Sequence, residues 1–166
     1  MSEPDSVAVV SDIHGNFEAL TAVLADEALV KGAWGFNEVA REAMDWTRRM
    51  LKPSWLRPGS RERWKFLEGL PLRQEIGTWL LVHGSPRDPT SEYILPRDAQ
   101  WPGAARFDDL FASVETICFV GHTHVPGRFT PEPSFTPQPE LEGGFEYEDG
   151  KWILNVGSVG QPRDGD

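Results

Sequence analysis

Thr116-Ile117-Cys118-Phe119-Val120-Gly121-His122-Thr123-His124-Val125-Pro126 is the stretch on which the architecture turns. A short apolar run, rich in β-branched and aromatic residues, ends abruptly at a glycine, which predicts a strand that stops at Gly121-His122. Two more runs end the same way. Ser6-Val7-Ala8-Val9-Val10 gives way to Ser11-Asp12-Ile13-His14-Gly15-Asn16, and Trp79-Leu80-Leu81-Val82 gives way to His83-Gly84-Ser85-Pro86. The first lacks polar alternation and so reads as a strand buried on both faces, the kind found in parallel sheets covered by helices. All 4 histidines of the chain follow such runs, beside glycines or one another.

Between these runs lie helical patterns, so the class is α/β. Phe17, Leu20, Val23 and Leu24 recur at helical spacing from a cap at Asn16, and the phase decays near Ala28. Phe36, Val39, Ala40, Ala43, Met44, Thr47, Met50 and Leu51 hold the spacing closely until Pro53 stops it. A shorter helix is predicted over 60–68, and a strand, or a hairpin turning near Gly77, over 74–82. Phe107, Leu110, Phe111 and Val114 form another helical face. Prolines 131, 133 and 137 predict an exposed extended loop between Pro126 and Pro139, with no central strand. Asp149-Gly150, between 146–148 and 151–154, predicts a hairpin. The tryptophans, Trp46, Trp55, Trp64 and Trp79 among them, are expected in the core and in helix packing.

The chain has 166 residues, enough for one domain over 1–166 with its own core. Its 16 Lys and Arg against 26 Asp and Glu give a net charge of −10, which opposes attraction to a nucleic-acid backbone or an anionic membrane. The single cysteine, Cys118, reads as a small buried hydrophobe. Neither a basic apolar leader nor a run near the ~20 residues of a membrane span is present, so a cytoplasmic location is expected.

Residues two apart in extended chain share a side, so Asp12 with His14, and His122 with His124, each form a two-toothed grip for a cation. His83 adds a third strand end. In open α/β sheets sites gather at the carboxyl ends of strands, and imidazole with carboxylate suits Zn, Mn, Fe, Co or Ni better than Ca. Taken singly, Asp12 also reads as a cap and His83 as a satisfied strand-end histidine. Arg87 and Arg163 stand beside these motifs, where each is a candidate fork for substrate oxygens or a partner for Asp88 or Asp164.

Ser-Asp-Ile-His-Gly-Asn over 11–16, Val-His-Gly-Ser-Pro over 82–86, Gly-His-Thr-His-Val-Pro over 121–126 and Asn-Val-Gly-Ser-Val-Gly-Gln-Pro-Arg-Asp over 155–164 together resemble the calcineurin-like metallophosphoesterases, in particular their small bacterial phosphodiesterase-like branch. The resemblance implies an α/β fold with a β-sandwich flanked by helices, two divalent metals at the sheet edge, and hydrolysis of a small phosphomonoester or phosphodiester by metal-activated water. It implies that Asp12, His14 and His124 hold one metal while His83 and His122 hold the other.

Two family segments are absent from this sequence: the Gly-Asp that gives a bridging carboxylate, and the Gly-Asn-His-Asp/Glu that gives an asparagine ligand and the histidine facing the leaving group. A strand-helix-strand unit of roughly 30 residues is therefore missing, with a junction expected near 25–31. Five ligands suffice for one metal or, thinly, two. No catalytic acid is assignable, a loss of about 10²–10⁴-fold that falls least on activated esters. The alternative reading is a catalytically impaired metal-binding or protein-interaction scaffold of the same fold.

Overall fold

The computed structural model describes residues 9, 11–12, 45–46, 49, 52–100, 104–141, 147, 149–158 and 160. The strand expected at 6–10, the helix from Asn16, the junction at 25–31, His14 and Arg163 lie outside them, apart from Val9. Of the long helix predicted over 36–51, Asp45, Trp46 and Arg49 are described and are helical.

Six strands form one mixed sheet in the order β1-β2-β3-β6-β4-β5. They are β1 Arg73–Ile76, β2 Trp79–Val82, β3 Ile117–Val120, β4 Gly127–Thr130, β5 Ser134–Pro137 and β6 Trp152–Asn155. Two helices, α1 Ser60–Glu68 and α2 Ala104–Ala112, match the predicted positions. The result is α/β, as expected. The second sheet of a sandwich is not among the described residues.

β2, β3 and β6 run parallel, so their carboxyl ends share one edge of the sheet. Register then sets the core. Leu80 lies opposite Cys118, Cys118 opposite Ile153, Ile153 opposite Phe129, and Phe129 opposite Phe135, making one apolar row across five strands. Onto this face pack Phe107, Leu110 and Phe111 of α2, with Val114 just beyond the helix. Lys151 Nζ donates to the Phe111 carbonyl at the end of α2, where a cation meets the negative pole of the helix. Burial pushes the Cys118 thiol up to about 12, keeping it a neutral packing group.

β1 and β2 make the hairpin expected at Gly77, which has φ 58. A Cβ there would meet nothing within 4 Å, so the glycine serves conformation alone. Gly77→Ala is expected to cost about 1 kcal/mol, the usual penalty for a side chain in the left-handed region. The shift of the urea midpoint measures it, and Gly77→Asn should recover part of the loss.

Two expectations are corrected. The 126–139 segment is not a loop: it holds β4 and β5, and β4 lies inside the sheet with Phe129 fully buried. Pro131 and Pro133 fall in the turn and Pro137 ends the edge strand β5, so no proline interrupts an internal ladder. Of the hairpin expected at Asp149-Gly150, positions 146 and 148 lie outside the described residues; β3 and β4 take both edges of β6 over 153–155. The Tyr147 hydroxyl donates to the Gly150 carbonyl and its ring meets Trp152 edge-on. Finally, Trp55 is 89% exposed and Trp46 56%, so neither is a core residue.

Candidate metal centre

The parallel strands deliver His83 after β2 and Gly121 to His124 after β3 to a single edge. Asp12 joins them from the N-terminal segment. Its Oδ2 accepts the His122 backbone N–H at 2.8 Å and the Ser11 hydroxyl, while its Oδ1 lies 3.2 Å from His124 Nε2 and 3.8 Å from His83 Nδ1. The His83 and His122 rings meet edge to face at 4.6 Å. Four of the five predicted ligands therefore converge: Asp12, His83, His122 and His124. The fifth, His14, is outside the described residues.

The route to convergence differs from the extended chain assumed above. Among the described residues, Asp12 (φ 51), His122 (φ 64) and His124 (φ 62) are the non-glycine residues in the left-handed region. Each such residue costs about 1–2 kcal/mol, and strain of this kind persists where the surroundings over-determine the backbone. Here they do. The Asp12 carbonyl accepts the Gly160 N–H and the Ser158 hydroxyl. Asn155, which is buried, donates from Nδ2 to the Gly121 carbonyl and to Thr123 Oγ1, both at 2.7 Å, and accepts the Gly157 N–H at Oδ1. One side chain thus ties the exit of β6 to the turn that carries both histidines. The sequence placed Asn155 in a motif without a role; a buried asparagine at a strand end was the available signal.

Electrostatics follow from the burial. Loss of water opposes ionisation of Asp12 more than any other single influence, yet His124, His83, the Ser11 hydroxyl and the His122 N–H together hold the carboxyl well below its usual range. Burial, aided by the charge of His83 and opposed by Asp12, pushes the His122 imidazole down to about 4. It is therefore neutral near pH 7. His122 Nε2 is buried and has no hydrogen-bond partner among the described residues. A buried imidazole nitrogen beside a carboxylate, with no hydrogen bond of its own, suits a transition-metal ion.

As they stand, no three His, Cys, Asp or Glu side chains among the described residues are set to hold a metal ion. Asp12 Oδ1 and His124 Nε2 face each other directly, which satisfies both groups without a cation. The donor chemistry nonetheless fits a divalent transition metal: one anionic carboxylate and three imidazoles, of which His122 has an Nε2 without a hydrogen-bond partner among the described residues.

Arg87 does not pair with Asp88. Its guanidinium grips Glu92 through Nε and Nη2 and lies 3.5 Å from Asp109, so the proposed fork already holds a carboxylate. Asp88 instead accepts the N–H groups of Thr90 and Ser91 and their hydroxyls, which brings its carboxyl down to about 2. Sequence reasoning missed Tyr93, whose ring stacks on His122 with centroids 3.8 Å apart.

No protein-family model matches the chain. An uncharacterized protein of Methanocaldococcus jannaschii is 30% identical over 210 positions that cover 96% of this chain and 78% of the relative. Since this chain has 166 residues, at least 44 of those positions have a residue in the relative and none here. The crystal structure of a metallophosphoesterase from Sphaerobacter thermophilus is 34% identical, with a TM-score of 0.58 over 87% of this chain. The match spans 56% of that structure, so this chain covers little more than half its length. A parallel-strand edge carrying these histidines, and a relative at this level of identity, lead to one conclusion: the chain belongs to the calcineurin-like metallophosphoesterase superfamily.

Proposed function

We propose that the protein hydrolyses a small phosphomonoester or phosphodiester in the cytoplasm, at a divalent metal held by Asp12, His83, His122 and His124 with His14. The observation that carries this reading is His122 Nε2, buried and without a hydrogen-bond partner among the described residues, beside a carboxylate and two further imidazoles. Bound there, a divalent cation supplies a Lewis acid for a phosphoryl oxygen and lowers the pKa of water. The chain's own residues do the rest. Asp12 contributes negative charge that stays ionised at neutral pH, and His122 stays neutral, so both are in the protonation state a cation requires. The Ser11 bond to Asp12, the His122 backbone N–H bond to Asp12 and the Asn155 clamp fix the donors before any ligand arrives.

A second reading is a catalytically impaired scaffold of the same fold. The 44 or more positions absent relative to the Methanocaldococcus jannaschii protein favour it, together with the missing Gly-Asp and Asn-His segments. One experiment separates the two. On the enzyme reading, the chain hydrolyses bis(p-nitrophenyl) phosphate, loses the activity to a chelator and regains it with Mn²⁺, with one or two metal ions per chain by elemental analysis. Substoichiometric metal with no turnover at any Mn²⁺ concentration selects the scaffold.

A further inference from the structure

The residue that faces the site from the β2–α2 connection is an aromatic with one face in use and much of its surface bare. Tyr93 lies nearly parallel to the His122 ring, at 29° and 3.8 Å between centroids, yet is 43% exposed whereas His122 is 8% exposed. Its backbone is also held. Ile94, the next residue, is buried in the core at 1% exposure. The Tyr93 carbonyl accepts Arg106 Nη2, and Arg106 is pinned by Asp98 at 2.8 Å and by Glu92. Glu92 in turn holds Arg87 and the Ser85 hydroxyl, closing the network back onto the His83-Gly84-Ser85 turn. A tyrosine whose flanking backbone is fixed in this way loses little conformational entropy when a ligand stacks on it.

We propose that Tyr93 is the specificity-determining residue of the site: its open face is a stacking platform for a phosphate ester whose organic group is a planar aromatic ring. The proposal rests on the phosphoesterase reading and adds a substrate class to it. With His122 on one face of Tyr93, an organic group that extends from a phosphate at the histidine cluster past the ring edge meets the exposed part of the ring. Aromatic stacking of this kind is sequence-tolerant and strong enough to rank ligands. The platform also compensates for the missing leaving-group acid, because aryl oxygens depart with less need of a proton than alkyl oxygens.

Calorimetric binding to the Mn²⁺-supplemented full chain tests it with three probes besides inorganic phosphate: methyl phosphate, phenyl phosphate and adenosine monophosphate. Phenyl phosphate is expected to bind about tenfold more tightly than methyl phosphate. Tyr93→Leu should erase that ratio while Tyr93→Phe keeps it, since stacking needs the ring and not the hydroxyl. A ratio is the useful readout because a merely structural Tyr93 would weaken both esters alike. A further gain for adenosine monophosphate assigns a nucleobase, and equality with phenyl phosphate assigns a simple aryl group. Phosphate that binds with no aromatic preference, or a preference that survives in Tyr93→Leu, overturns the proposal alone. Phosphate that fails to bind overturns the phosphoesterase reading with it.

Discussion

Gly121→Ala is expected to cost about 3 kcal/mol of stability and to lower metal affinity by more than about 100-fold, the combined effect of overpacking a buried site and displacing groups that orient the ligands. The substituted methyl group would overlap the Ser11 hydroxyl and the Asp12 carboxylate, both of them buried. Neither can retreat. Asp12 is anchored through its carbonyl by Gly160 and Ser158, and its carboxylate holds the His122 N–H and touches His124. Gly121 is itself bonded to the His83 carbonyl through its N–H and to Asn155 through its carbonyl, so it cannot move outward without breaking β2 from β3. Its backbone is not among the positive-φ positions, so the requirement is for space and not for conformation. That distinguishes it from Gly77, where the opposite holds.

The measurement is a thermal melt together with a Mn²⁺ or Zn²⁺ titration. For a chain of this size, each kcal/mol lowers the melting midpoint by roughly 2–4 °C, so a fall of roughly 6–12 °C is expected. A folded Gly121→Ala protein with undiminished metal affinity would show that Asp12 takes no part in the site.

What the sequence made legible follows from which physical constraints are local. His83, His122 and His124 were readable because each follows an apolar run whose length and composition already demand a strand, and parallel strands send their carboxyl ends to one edge. Cys118 was readable as a buried residue, but the row that it forms with Leu80 and Ile153 was not, since register depends on partners far along the chain. β4 escaped notice because its alternation, with Gly127 and Phe129 in and Arg128 and Thr130 partly out, lasts only four residues amid prolines that read as loop. The neighbours of β6 were hidden for a similar reason: β3 and β4, which take its edges, lie far along the chain. Backbone strain at His122 and His124 has no local signature at all. Side-chain period argued for extended chain, and tertiary bonds imposed the left-handed region instead.

Asn155→Leu removes the clamp that imposes that strain. Leucine fills a similar volume but takes the Gly157 N–H's partner and one of two bonds from each of the others, since the Gly121 carbonyl keeps the Thr123 N–H and Thr123 Oγ1 keeps the Val125 N–H. One buried donor left unpaired and two bonds lost make a cost of about 2–4 kcal/mol expected. Relaxation is where the site suffers. With the Asn155 bonds gone, the turn from Gly121 to His124 is free to leave the left-handed region, which lowers its own energy and carries both imidazoles away from Asp12. Asn155→Asp is the sharper variant, because it keeps an oxygen for Gly157 and loses the donor: a carboxylate oxygen then faces the Gly121 carbonyl, and repulsion replaces the bond. Both variants should lose metal affinity by about 10–100-fold, the range seen when groups that orient ligands are removed, at temperatures where circular dichroism shows them folded. A lower melting temperature with metal affinity unchanged would confine Asn155 to holding β6 against β3 and would mean that the histidines keep their conformations through Asp12 alone.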